Sequence, residues 1–103
     1  IPTHAEKVGA RLRDGLLGLQ EKYACIGEVR GMGLMQAMEI VGENKTPAPD
    51  VVLKIFEKTK ELGLLIGKGG LYNNVIRLTP PMIITESDVD EAIRVFDKAF
   101  ASL

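Results

Sequence analysis

Arg77 stands inside an extended-looking run, Asn74-Val75-Ile76-Arg77-Leu78-Thr79-Pro80-Pro81. Its aliphatic and β-branched neighbours favour a half-buried strand. Strand side chains alternate, so Ile76 and Leu78 face one way and Val75, Arg77 and Thr79 the other. A guanidinium held on rigid backbone calls for a partner, because an unpaired charge is costly to bury. Its planar fork suits a carboxylate, which it grips with two parallel hydrogen bonds. Two readings follow. Arg77 is half of a structural ion pair, or it receives an anionic ligand. Glu28 and Glu39 are candidate partners for Arg77 or for Arg30.

Other groups offer less. Arg30 precedes Gly31-Met32-Gly33, whose paired glycines permit a tight bend or a close backbone approach. Gly67-Lys68-Gly69-Gly70 lacks the spacing of a phosphate-binding loop, and a strand stands where the helix should follow. Its glycines relax a connection or let it pass close to a ligand or another domain. Lys68 reads as a solvated side chain. His4 is the only histidine, and no cluster stands at metal-ligand spacing, so no metal site is expected. Cys25 lacks a partner base and reads as a small apolar packing residue. No nucleophile stands with its base and no acid with its conjugate partner, so the chain supplies no catalytic residues of its own.

The elements that must position Arg77 are legible from spacing. Thr3 and Glu6 have the pattern of a helix-capping box, and Val8, Leu12, Leu16, Leu19 and Tyr23 then recur at helical intervals. A first helix is expected from about residue 4 to about residue 22. Ile26 to Arg30 and Leu34 to Val41 read as two strands around the glycine bend. In the second, Leu34, Gln36, Met38 and Ile40 share one face, and Met35, Ala37, Glu39 and Val41 the other. A polar loop follows over residues 42–49. Asp50 is the expected N-cap of a second helix carrying Val52, Ile55, Phe56, Thr59 and Leu62, with Gly63 as its C-terminal stop. Leu64-Leu65-Ile66 reads as a short strand, residues 67–74 as a flexible loop, and the Arg77 strand ends at Pro80-Pro81. Thr85 and Asp88 cap a last helix whose stripe is Val89, Ile93, Phe96, Phe100 and Leu103. The expected architecture is a single α+β domain over residues 1–103. Its order is α-β-β-α-β-β-α, with a small, mainly antiparallel sheet and helices on one face.

Bulk properties narrow the class. The chain has 103 residues, 46% hydrophobic and 26% charged, with a net charge of −1. That is enough for one modest core. There is no basic field to attract nucleic acid or an anionic membrane, and no apolar run long enough to span a bilayer. A lone cysteine fits a reducing compartment. The opening Ile1-Pro2-Thr3, without an initiator methionine, reads as a piece cut from a longer protein.

The run Ile26-Gly27-Glu28-Val29-Arg30-Gly31-Met32-Gly33-Leu34-Met35-Gln36-Ala37-Met38-Glu39-Ile40 resembles a segment of the class III, pyridoxal-phosphate-dependent aminotransferases. A second match follows at the right distance: Gly63-Leu64-Leu65-Ile66, a glycine-rich loop, residues 74–81 and Ile84-Thr85 with Asp88. Together they cover about residues 4 to 103. The resemblance implies the C-terminal small domain of a fold-type I enzyme that works as a homodimer, in the cytoplasm or the mitochondrial matrix. Arg77 matches an arginine that in many members binds the substrate carboxylate. Arg30, Gly31 and Gly33 match a structural bend, and Gly69, Gly70 and Tyr72 fall in a loop near the active-site entrance. The family's imine-forming lysine and phosphate-binding residues belong to a large upstream domain that is absent here. The resemblance therefore implies that the cofactor is bound by that domain, and that this chain alone is inert. The motifs look most like the alanine–glyoxylate group, which moves an amino group from alanine or a β- or omega-amino acid to glyoxylate or pyruvate. The 4-aminobutyrate and the ornithine or acetylornithine types are the alternatives within the family. Outside it, the alternative is a stand-alone module that binds a carboxylate for regulation, or a dimerisation domain.

Overall fold

Thr3 opens the first helix, α1 (His4–Lys22), where its hydroxyl oxygen accepts the Glu6 N–H at 3.1 Å. The computed structural model describes residues 3–64, 66–70, 74–78 and 85–103, and of Lys68 the backbone alone. After α1 come β1 (Ile26–Met32), β2 (Met35–Ile40), a single 3-10 turn (Glu43–Lys45), α2 (Pro49–Glu61), β3 (Gly67–Gly69), β4 (Val75–Leu78) and α3 (Glu86–Ala101). The order α-β-β-α-β-β-α is the expected one. Thr85 and Asp88 form the anticipated capping box: the Thr85 hydroxyl accepts the Asp88 N–H, and the Asp88 carboxylate accepts the Thr85 N–H.

Four strands form one antiparallel sheet in the order β1-β2-β4-β3. Gly33 and Leu34 turn β1 into β2, with Met32 opposite Met35. The glycines are required here. Gly33 has φ 53°, and a Cβ on Gly31 would fall on the Met35 carbonyl oxygen. Alternation along the strands sorts the two faces. Val29, Met38, Ile40, Ile76 and Leu78 point inward, each at most 6% exposed. They meet Leu12, Leu16, Val52, Ile55, Val89 and Phe96 from the helices. Arg77 and Met35 are exposed and Ala37 and Glu39 half-buried, all on the opposite side. Leu34 lies in the turn rather than in the strand, and packs half-buried against the core.

Three expectations need correction. The third strand is Gly67–Gly69; of the expected Leu64–Ile66 strand, Leu64 and Ile66 lie in no strand and Leu65 lies outside the described residues. Ile66 turns into the core at 7% exposure, and pairing with β4 begins only at Gly67, so the start of the expected loop is strand. Ala48, not Asp50, is the N-cap of α2. Pro49 occupies the first turn, where its fixed φ is already helical and its missing N–H costs nothing. Asp50 then lies inside that turn, facing the positive end of the helix dipole. Leu103 falls beyond α3 and is 54% exposed. The expected stop at Pro80-Pro81 lies outside the described residues.

Helices α1 and α3 are joined by charge and by rings. Arg11 donates from Nε and Nη2 to the two Asp90 oxygens, at 2.9 Å each. Lys22 and the Tyr23 hydroxyl both donate to Asp97 Oδ1, at 2.9 and 2.5 Å. The Tyr23 and Phe100 rings stack at 5.4 Å. The Tyr23 hydrogen bond first, and Lys22 second, hold the Asp97 carboxyl below its usual range. Arg11 does the same for Asp90. A carboxyl lowered in the folded state stabilises fully above its unfolded pKa, about 3.9, and loses that contribution as pH falls through its folded value. Asp97→Asn should therefore lower the thermal midpoint at pH 7, and the gap from the parent should close as pH falls through the lowered folded-state value of Asp97. A gap that persisted in acid would remove the ionic contribution.

Gly9 lets α1 meet the hairpin turn: a Cβ there would fall on the Gly33 carbonyl, 2.5 Å from its carbon. A Cβ added to Gly18, in the same helix, would meet nothing beyond its own helix within 4 Å among the described residues. Alanine gains up to about 1 kcal/mol over glycine in a helix, whereas overpacking costs about 1–3 kcal/mol. Thermal unfolding should therefore split the pair, with Gly18→Ala raising the midpoint and Gly9→Ala lowering it.

Candidate functional site

Strand register places four residues in one row across the open face. Arg30 on β1 is opposite Ala37 on β2, Ala37 is opposite Arg77 on β4, and Arg77 is opposite Gly67 on β3. The next row is Glu28, Glu39, Val75 and Gly69. The two arginines are thus about 10 Å apart at the backbone, two strand spacings, with only the Ala37 methyl between them.

Arg30 Nη1 lies 3.2 Å from Glu28 Oε2 and 3.0 Å from Glu39 Oε2. The two glutamates face each other across the ladder, where like charges repel. Arg30 bridges both, which assigns the acids left open in the sequence. Among the described residues no carboxylate is paired with Arg77. Its side chain is exposed above the sheet, so the ionic cost of burial does not arise. The ion-pair reading of Arg77 finds no acid here.

Arg77, Arg30, Ala37, Met35, Gly31 and Gln36 line an open depression of about 360 Å³. Gln36 is 3% exposed. Its Nε2 donates to the Gly33 carbonyl at 2.7 Å, while its Oε1 has no partner among the described residues. Val75 faces the Arg77 side yet is buried, because Gly70 passes over it. A Cβ on Gly70, where φ is 86°, would come within 2.6 Å of Val75 Cγ2. Asn74 fixes the start of β4 by donating from Nδ2 to the Ile40 carbonyl at 3.2 Å.

Gly31 and Gly33 lie at the hairpin, and the Arg30 guanidinium bonds Glu28 and Glu39. Tyr72 lies outside the described residues. Cys25 is half-buried, and that burial pushes its thiol up, away from the reactive thiolate. Among the described residues no group of three or more histidine, cysteine or acidic side chains could hold a metal ion, and no helix is long and apolar enough to cross a membrane. Sequence reasoning missed Ala37 as the spacer between the arginines. The period-two alignment of Arg30, Ala37 and Arg77 would have found it once the strand pairing was known.

The described residues thus form an antiparallel sheet with helices on one face and an exposed arginine on the other. Residues 2–100 match the class-III aminotransferase family model, and the chain belongs to that family. It is 43% identical, over its whole length, to the mitochondrial alanine–glyoxylate aminotransferase 2 homolog 2 of Arabidopsis thaliana, and spans 22% of that protein. Solved structures agree. An Arthrobacter phospholyase in complex with phosphoethanolamine superposes with a TM-score of 0.91 at 28% identity, over 96% of this chain and 24% of the other. A PLP-bound amine transaminase from an uncultivated Pseudomonas species gives 0.83 at 34% identity, over 96% and 23%. The chain thus spans about a quarter of the length of its relatives.

Class III enzymes use pyridoxal phosphate. Among the described residues, the lining of the Arg77 depression includes neither a lysine to form an imine nor a carboxylate to pair with a pyridine nitrogen, so those residues by themselves do not fit the cofactor.

Removing Arg30 should expose the repulsion between Glu28 and Glu39. Arg30→Met should destabilise the chain by about 0.5–1 kcal/mol. Adding Glu28→Gln should restore most of the loss, and salt should shrink it. Denaturant titration of the single and double variants at two ionic strengths checks this, and no recovery in the double variant refutes it.

Proposed function

We propose that this chain is the C-terminal small domain of a pyridoxal-phosphate-dependent aminotransferase, and that Arg77 receives the substrate carboxylate. The observation that carries the reading is an exposed arginine on rigid β4 with no acid paired to it among the described residues, while Arg30 engages the nearby glutamates. A guanidinium so placed is free to form a two-point grip on an incoming carboxylate. That grip binds the substrate and fixes its orientation. A large domain of the same polypeptide supplies the cofactor, which carries the bond-making chemistry. Met32 and Met35, side by side at the hairpin tip and 82% and 61% exposed, support a covering partner of this kind. The working enzyme is a homodimer.

The favoured reaction moves an amino group from alanine or an omega- or β-amino acid to a 2-oxo acid such as glyoxylate or pyruvate. It rests on the 43% identity to the Arabidopsis alanine–glyoxylate homolog. The 4-aminobutyrate and acetylornithine types remain the alternatives, and an acetylornithine aminotransferase is 39% identical to this chain. The phospholyase likeness adds one more, since an arginine fork grips phosphate as readily as carboxylate.

In a full-length enzyme carrying this segment, Arg77→Ala should cut kcat/KM for alanine with glyoxylate by roughly 10- to 100-fold. That range corresponds to the loss of one charge-assisted hydrogen bond at about 1.5–3 kcal/mol. An unchanged kcat/KM would remove the role. Turnover of phosphoethanolamine in place of alanine would move the enzyme to the lyase branch.

A further inference from the structure

Gly67 and Gly69 stand on the edge strand, where each would present a side chain next to Arg77 if it had one. Gly67 is opposite Arg77 in the register, and a Cβ there would sit 3.5 Å from Arg77 Cβ, an ordinary contact. Gly69 is two residues further along, opposite Val75. A Cβ on Gly69 would coincide with Arg77 Nη2 and lie 2.6 Å from Cζ and 2.7 Å from Nε. The guanidinium therefore does not point straight out from the sheet. It leans diagonally across β3 and rests in the space that Gly69 leaves bare.

The backbone does not require glycine at this position. Gly31, Gly33, Gly63 and Gly70 have φ in the left-handed region, and Gly69 does not. Alanine fits its strand conformation without strain. The clash would fall on the far end of a flexible side chain, which can rotate away at little cost to the fold. What the substitution changes is where the guanidinium rests.

We infer that Gly69 is a positioning residue: its missing side chain seats the Arg77 guanidinium across β3 and so sets the direction from which a substrate carboxylate is gripped. This rests on the carboxylate-receptor reading of Arg77. A bidentate grip needs both N–H groups of the fork aligned with the two oxygens, and a misplacement on the order of 1 Å is enough to cost rate. Gly69 tunes the choice between donors with a carboxylate and donors without one, while touching neither.

The test uses the PLP-loaded full-length enzyme and follows the donor half-reaction by the absorbance change of the cofactor, with no oxo acid present. Alanine is compared with isopropylamine, in which a methyl replaces the carboxylate. Gly69→Ala is expected to lower the preference for alanine about tenfold, chiefly through KM for alanine, with the thermal midpoint within a degree or two of the parent. In the Arg77→Ala background the same substitution should have no further effect on the preference. If Arg77→Ala lowers the preference and Gly69→Ala does not, the positioning role is overturned and the receptor reading stands. If Gly69→Ala acts equally on both donors, or acts additively with Arg77→Ala, its role is structural and the inference fails. If Arg77→Ala leaves the preference intact, the receptor reading fails and the inference falls with it.

Discussion

Burial of one face of the sheet decides where every charge on it points. Met38, Ile40, Ile76 and Leu78 are at most 1% exposed beneath α1, α2 and α3. Each such side chain contributes on the order of 1.5–3 kcal/mol by leaving water. Because strand side chains alternate, slipping β4 by one residue would drive Arg77 into the core and expose Ile76 and Leu78. The cost of that slip, several apolar side chains plus one desolvated guanidinium, far exceeds any surface ion pair at about 0–1 kcal/mol. The hydrophobic pattern of the inner face thus places the arginine on the outer one.

On that outer face, electrostatics divides two chemically identical side chains into two tasks. Glu28 and Glu39 would repel across the ladder, and Arg30 lies close enough to bond both. With those acids engaged, no carboxylate among the described residues pairs with Arg77. Ala37 between them is half-buried and carries only a methyl. A longer side chain there would fill the floor of the depression and bring a competing group within reach of Arg77. Proximity in the row is therefore not enough to pair a charge, since the register of each acid decides which arginine it meets.

Much of this was legible in the sequence, for local reasons. The helices announce themselves through caps and spacing, and the first runs over His4–Lys22 as expected. The two faces of β2 and β4 follow from alternation alone. What escaped depends on contacts distant in sequence. Ile66 is pulled into the core, so β3 starts one residue after the apolar run that resembles a strand. Glycines have low strand propensity, so Gly67–Gly69 looks like a loop until β4 is laid beside it. Gly9 gives no signal as a close-packing residue, because its partner, Gly33, is two elements away. Asp50 has a cap's chemistry, but Pro49 takes the first turn ahead of it.

A three-residue edge strand with glycines at both ends is a weak element, and that weakness has a use. Glycine in a strand costs roughly 0.5–1 kcal/mol against alanine through lost backbone freedom. Side chains at positions 67 and 69 would recover that stability, and the one at 69 would also crowd the arginine. Edge strands carry a second liability, their unpaired backbone, which invites association with other chains. A short edge limits that exposure. Gly70, held at positive φ over Val75, then bends the chain directly after β3, so the strand ends where the guanidinium rests. Stability lost at this edge is the physical counterpart of access to Arg77. The strand side chains in the core, Val29, Met38, Ile40, Ile76 and Leu78, come from β1, β2 and β4.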